Sequence, residues 1–457
     1  MGGQQSREPP PSEDGKDSSA SSRRRRAGAR LVVDHVIRRQ EGARTFCFSV
    51  VVRVGTQSTA HGEAELLRQL LPMGTAAYPH KDSVELTLDS ISSTLTSECA
   101  DVYTRYTVHT PRSHAPTACR VMAEILRFPL LQEDLFDVER MIWREGVGHA
   151  AADRWVRQRP PVDEAAASSV TDLRQLWKRT YDLRNMSFVV CGDWEGDDDA
   201  LFLWLTHYFG ETARLQGDAG DAASRTRCKL LEQHGAPQLA ALPRPPAPVR
   251  TVERVHHIPT REKLAHRVTL CYPLRAPYAS PARYAAEVLV DMLGGSMSSR
   301  LRRRARECRA WAQAIEAAGV FDAAGQWLVV RVTTTPSSTL KTVASIVRAL
   351  ASFWKVMTVE EMRQSQARLA GRLDMVGESP KELSAFVARQ KARGCAEQSL
   401  EAAAARYARV GLEQVREVAR GALEAPRVRL AHAGHKKVFP PDWTADGTAD
   451  SESLSSA

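Results

Sequence analysis

The chain is 457 residues long, 43% hydrophobic and 26% charged, a composition that excludes fibrous and wholly disordered proteins. Single cores stop growing near roughly 250–300 residues, so at least two are expected. No run of about 18 apolar residues occurs, so no membrane-crossing helix is expected, and a net charge of +9 with no module that reads RNA or DNA argues against a specific nucleic-acid partner.

The first six residues are MGGQQS, and Gly2 with Ser6 fits the pattern for N-myristoylation. Residues 1–29 are rich in Pro, Ser and charge without hydrophobic periodicity, and are expected to be disordered. Glu8, Glu13, Asp14 and Asp17 argue against a mitochondrial presequence, whereas the Arg- and Ser-rich stretch through Arg23–Arg26 suits one. Both readings stand at this point. The eight cysteines lie far apart with no CxxC pair, the usage of small buried hydrophobes in a reducing compartment.

From Leu31 on, LVVDHVI and TFCFSVVVRV read as strands, rich in β-branched and aromatic residues. AHGEAELLRQLLPMGT (60–75) then puts Leu66, Leu67, Leu70 and Leu71 on one side of a short helix closed by Pro and Gly-Thr. SVELTLDSI reads as helix, and STLTSEC and VYTRYTVHT as two more strands. PTACRVMAEILRF has helical spacing with Pro near its start. Residues 134–145 form an amphipathic helix with Leu135, Val138 and Ile142 inward. DEAAASSVTDLRQLWKRTY is a further helix and LRNMSFVVCGDW a closing strand.

The Pro-rich stretch GAPQLAALPRPPAPVR (235–250) reads as an extended linker. Beyond it the pattern returns. HRVTLCYPLRAP answers the strand at Thr45, PARYAAEVLVDMLGG the helix after it, and EQVREVARGALEAPRVRLAHAG the closing helix and strand. A period of roughly 220–240 residues marks a duplicated domain rather than a solenoid. The expected division is 30–215 and 253–436, joined by a linker at 216–252 and followed by a disordered tail at 437–457. Strands first, helices after and a last strand suit an α+β fold.

A strand leading into a helix that ends in Gly74-Thr75, followed by SVELTLDSI, resembles the pitrilysin/insulinase family of zinc metallopeptidases. Tyr181, Asn185, Met186, Gly192 and Asp193 match that family's closing turn and strand, and LGGSMSSRLRRRARECRAWAQAIEA resembles its second-half signature. The resemblance implies two homologous domains, each a mixed sheet with helices packed on one face. It also implies a His-x-x-Glu-His motif on the first helix, two zinc ligands around a general base. The aligned positions here are Glu65, Arg68 and Gln69. The distal ligand position falls on Glu145, with Glu139 as its supporting acid, so one ligand of three remains and the zinc site looks lost. No catalytic residue and no cofactor are expected. Of the family's substrate-contacting pair, Arg306 is kept and the Tyr is replaced by Gln313.

Non-catalytic members of this family include the α subunit of mitochondrial processing peptidase and the core subunits of ubiquinol–cytochrome c reductase. The resemblance therefore implies a structural or substrate-binding subunit of a mitochondrial complex, at the matrix or the matrix face of the inner membrane. It would pair with a homologous subunit and contact presequence peptides. Three alternatives are weighed beside it: an active peptidase using His61, Glu65 and Glu145; an assembly protein of an RNA-containing particle that reuses the fold; and a cytoplasmic or membrane-surface location through an acyl chain on Gly2.

Overall fold

The computed structural model describes residues 33–59, 62–149, 169–210, 255–277, 280–297, 299–307, 312–322, 325–394, 399–423, 429–439 and 443. They build two five-stranded sheets. The first is ordered β1 (Asp34–Arg39), β5 (Met186–Gly192), β2 (Thr45–Val52), β4 (Thr104–Pro111), β3 (Leu95–Cys99). The second is ordered β6 (Val255–Pro259), β10 (Arg429–Gly434), β7 (His266–Leu274), β9 (Gly325–Thr334), β8 (Ala312–Asp322). In each, the first strand runs parallel to the last and the other pairings are antiparallel. One topology used twice is the structural form of the repeat in the sequence, and the class is α+β as expected.

Helices α1 (Glu63–Leu70), α2 (Lys81–Ser90), α3 (Ala115–Arg127), α4 (Glu133–His149), α5 (Val170–Thr180) and α6 (Asp198–Phe209) bury their apolar sides on one face of the first sheet, around Phe46, Phe48, Tyr106 and Phe188. In the second half, α7 (Ala282–Gly294), α8 (Arg300–Glu307), α9 (Thr339–Ala351), α10 (Phe353–Val356) and α11 (Val359–Glu378) contribute to a core around Leu270, Leu328 and Val330, shared with the later helices α13 (Leu400–Ala408) and α14 (Leu412–Leu423).

The helix between them, α12 (Pro380–Ala392), crosses to the other half. Ser379 ends α11 and caps α12, accepting from the backbone N–H of Glu382, and Pro380 turns the chain because the residue before a proline avoids helical geometry. Leu383, Val387, Ala388 and Ala392 of α12 then pack on Val36, Val51, Val189 and Cys191, on the outer face of the first sheet. Ser384 Oγ reaches Ser49 Oγ at 2.7 Å, Lys391 reaches Asp34 at 2.7 Å and Arg393 reaches Asp101 at 3.1 Å.

Each half's sheet thus carries helices as expected, the first half's own helices on one face, and the other face of its sheet is covered by a helix of the second half. The cause is visible in β2: TFCFSVVV does not alternate, and all but its first residue are buried, the signature of a strand covered on both faces. One correction concerns α4. Val138 and Ile142 are 46% and 49% exposed, whereas Phe136 and Trp143 turn inward; burying two large aromatic rings outweighs burying the aliphatic stripe. Another concerns the tail. Phe439 is 1% exposed in the second core, edge-on to His432 and Trp443, so packed structure extends past residue 437. The segments expected as N-terminal disorder (1–29) and as linker (216–252) lie outside the described residues.

The five cysteines among the described residues, Cys47, Cys99, Cys119, Cys191 and Cys271, are free thiols, and all but Cys99 are buried. No helix among the described residues is long and apolar enough to cross a membrane.

Candidate functional site

The residues aligned with the lost motif sit on α1. Leu66, Leu67 and Leu70 anchor that helix in the core, leaving Glu65, Arg68 and Gln69, at i, i+3 and i+4, together on the opposite side. The helix begins at Gly62, whose φ of 82° is readily adopted only without a side chain. A Cβ there would also lie 2.6 Å from the ring of Trp143.

Trp143 is the residue the sequence reading overlooked. It lies on α4, 5% exposed, and its Nε1–H donates to Glu65 Oε2 at 2.7 Å. Arg68 reaches the other way, its Nη1 donating to Ser97 Oγ on β3 at 2.8 Å. Gln69 buries its Oε1, which has no hydrogen-bond partner among the described residues. These side chains border a groove of about 410 Å³ between α1, the Leu71–Met73 turn, α2 and β3, where β3 is the outermost strand of its sheet.

The donors at the three motif positions are therefore a carboxylate accepting an indole hydrogen, a guanidinium and a carboxamide. Catalytic zinc takes three protein ligands from imidazole, thiolate or carboxylate, and a guanidinium in the middle of the set repels a dication. The residues present do not fit the metal. Among the described residues no three His, Cys, Asp or Glu side chains converge as a metal cage.

The remaining expected positions are dispersed or lie beyond description. Glu145 falls in α4 and Arg306 in α8, with side chains outside those described, as are Gly2 and His61. Glu139 is half-buried on α4. Gln313 is the extra residue of a bulge at the start of β8, between the pairs Ala312–Thr334 and Ala314–Thr333, and is exposed.

The other matching residues are structural. Tyr181 and Tyr106 share a hydroxyl–hydroxyl bond of 2.8 Å in the core. Asn185 donates to Thr180 O at 2.8 Å and so holds the turn into β5. At Gly192, φ is 98° and a Cβ would lie 2.2 Å from Thr45 O. Buried Asp193 pairs with Arg39 at 3.0 Å and Arg112 at 3.2 Å. In the second half, the helix in the place of α1 is fixed to the long helix after it by an ion pair, Asp291 to Arg368 at 2.7 Å.

Residues 36–167 match the family model "Insulinase (Peptidase family M16)", and residues 168–369 match "Peptidase M16 inactive domain". The chain belongs to the M16 family. Three solved structures share the M16 fold at low identity. A protease from Helicobacter pylori is 14% identical with a TM-score of 0.69, over 88% of this chain and 96% of that one. A peptidase M16 inactive domain from Pseudomonas fluorescens is 15% identical with a TM-score of 0.70, over 89% and 96%. The first half of the periplasmic protease PqqL from Escherichia coli is 16% identical with a TM-score of 0.63, over 90% and 92%. No curated protein matches the chain by sequence.

Proposed function

We propose that this chain is a non-catalytic M16 subunit, structural or substrate-holding, that works beside a homologous M16 chain and holds no catalytic zinc. The observation that carries the reading is the commitment of Glu65 to Trp143 at 2.7 Å, with Arg68 standing where a general base would be needed. The match of a large part of the chain to an inactive-domain model supports it. Pairing is supported by the likeness of nearly the whole chain to only the first half of another protease, since a two-domain unit of this kind is there one part of a larger body. From the sequence resemblance to processing-peptidase and respiratory core subunits we propose, as its location, the mitochondrial matrix or the matrix face of the inner membrane.

The substrate-holding form of this reading rests on Gln69. Its buried Oε1 without a partner is an acceptor that the backbone N–H of an extended peptide would satisfy, and the outer edge of β3 offers strand pairing beside it. Affinity purification of the tagged chain from native matrix and membranes tests the assignment. A homologous M16 chain in near-equal amount supports it; isolation of the chain alone, with zinc-dependent peptidase activity, overturns it.

A further inference from the structure

A second cavity, of about 300 Å³, adjoins the α1 groove past β3 and shares Asp89, Ser93 and Thr94 with it. Leu95 and Ser97 border the α1 groove while Thr96 borders this cavity, as the alternation of a strand requires. The cavity sits at the seam between the halves. Its floor is Thr96 and His109 of the first sheet, one wall is the turn from α2 into β3, and the other is Lys381 at the start of α12.

Three features mark it as built for a ligand. Ser93 is 5% exposed, lines the cavity, and its hydroxyl has no hydrogen-bond partner. His109 Nε2, also lining it, is likewise buried without a partner. Burying such an atom without a partner is costly, and a bound ligand would remove that cost. Ser92 holds a left-handed backbone, φ 50°, a conformation that non-glycine residues adopt at a cost and that clusters at binding sites.

The charges around the cavity identify the kind of occupant. Lys381 stands on one side and Asp89 on the other, both exposed and neither in an ion pair among the described residues. The lining also includes Ser92, Ser93, Thr94 and Thr96. A simple anion would meet Asp89 and a simple cation would meet Lys381. We infer that this seam cavity binds a small zwitterion of free amino-acid type, its carboxylate toward Lys381 and its ammonium toward Asp89. A volume of about 300 Å³ is at the lower end of small-molecule pockets, which span roughly 300–1,000 Å³. Because the two walls come from different halves, occupancy ties the halves together. Burial first, and the Lys381 charge second, hold the His109 imidazole below its ordinary pKa; a carboxylate beside it acts in the opposite direction.

The test uses the full chain. Thermal melting is followed with each of the twenty free L-amino acids at concentrations up to about ten millimolar, with their N-acetyl and amide forms, and with inorganic phosphate; the His109 imidazole is titrated by NMR. At least one free amino acid is expected to raise the melting temperature saturably and to raise the His109 pKa, while both blocked forms fail. Lys381→Met and Asp89→Asn, both at exposed positions, are each expected to weaken that response about tenfold, the loss of one charge-assisted contact. Three outcomes overturn the proposal: no amino acid acts, phosphate alone acts, or the response survives both substitutions. Asp89 borders the α1 groove as well, so Lys381→Met is the variant confined to this cavity, and none of the three outcomes touches the Glu65–Trp143 bond on which the proposed function rests.

Discussion

Trp143 donates its indole N–H to Glu65 Oε2 at 2.7 Å, linking α4 to α1 across the start of the degenerate motif. The ring also lies over Gly62, where any side chain would strike it. The indole thus occupies the carboxylate and the space beside it together, and the bond holds the two helices as one unit.

Removing only the bond separates these roles. Trp143→Phe keeps a ring and is expected to cost about 1–2 kcal/mol in urea unfolding, the worth of one hydrogen bond to a part-buried carboxylate. Trp143→Ala is expected to cost about 3–5 kcal/mol, because it opens a cavity as well. A Phe variant as stable as the parent shows that the bond contributes nothing.

The seam between the halves gives a second prediction. Ser384 and Ser49 are bonded at 2.7 Å, and Ser49 is bonded in turn to Thr107 at 2.7 Å, all in buried surroundings. A double-mutant cycle of Ser49→Ala and Ser384→Ala is expected to show a coupling of about 0.5–1.5 kcal/mol. Additivity within about 0.3 kcal/mol would mean that α12 does not dock on the first sheet as described.

A third concerns acid. Four imidazoles form a chain through the second half: His257 Nδ1 to His432 Nδ1 at 3.2 Å, His432 Nε2 to His266 Nδ1 at 3.0 Å, and His266 Nε2 to His435 Nδ1 at 3.3 Å. Gly434 makes room for it, since a Cβ there would lie 2.6 Å from the His266 ring. Burial first, then the neighbouring His266, His257 and His435, push His432 down to about 4. A histidine depressed in the folded state binds its proton more readily when unfolded, so the stabilisation is complete above about pH 6.5 and is lost as pH falls toward 4. Melting temperature is expected to drop through that window, and His432→Gln to flatten the drop. Parallel profiles for parent and variant would contradict the assignment.

Much of this was legible beforehand, and the gaps have physical causes. Glu65, Arg68 and Gln69 could be placed by helical spacing next to Gly74-Thr75, and the repeat foretold two sheets of one topology. Trp143 was missed because aliphatic spacing was weighed above ring size, although a tryptophan two residues before Glu145 was the signal. The crossing of α12 was foreshadowed by β2, where apolar residues on both faces are interrupted only by Ser49, but not which helix would cover it, because residues 353–408 resemble no part of the first half closely enough to be assigned. The histidine chain left no local mark. Its members come from positions 257, 266, 432 and 435 and meet only through strand pairing.

Zinc stoichiometry tests the central claim most directly. The purified full chain is dialysed against micromolar zinc and the metal per chain is measured by elemental analysis, for the parent, Glu65→Ala and Glu145→Ala. The account predicts that the two substitutions leave the zinc content unchanged, whatever loosely held metal the exposed histidines retain. About one zinc per chain, lost in both variants and accompanied by peptide cleavage in the parent, would contradict it and restore the chain to the working peptidases.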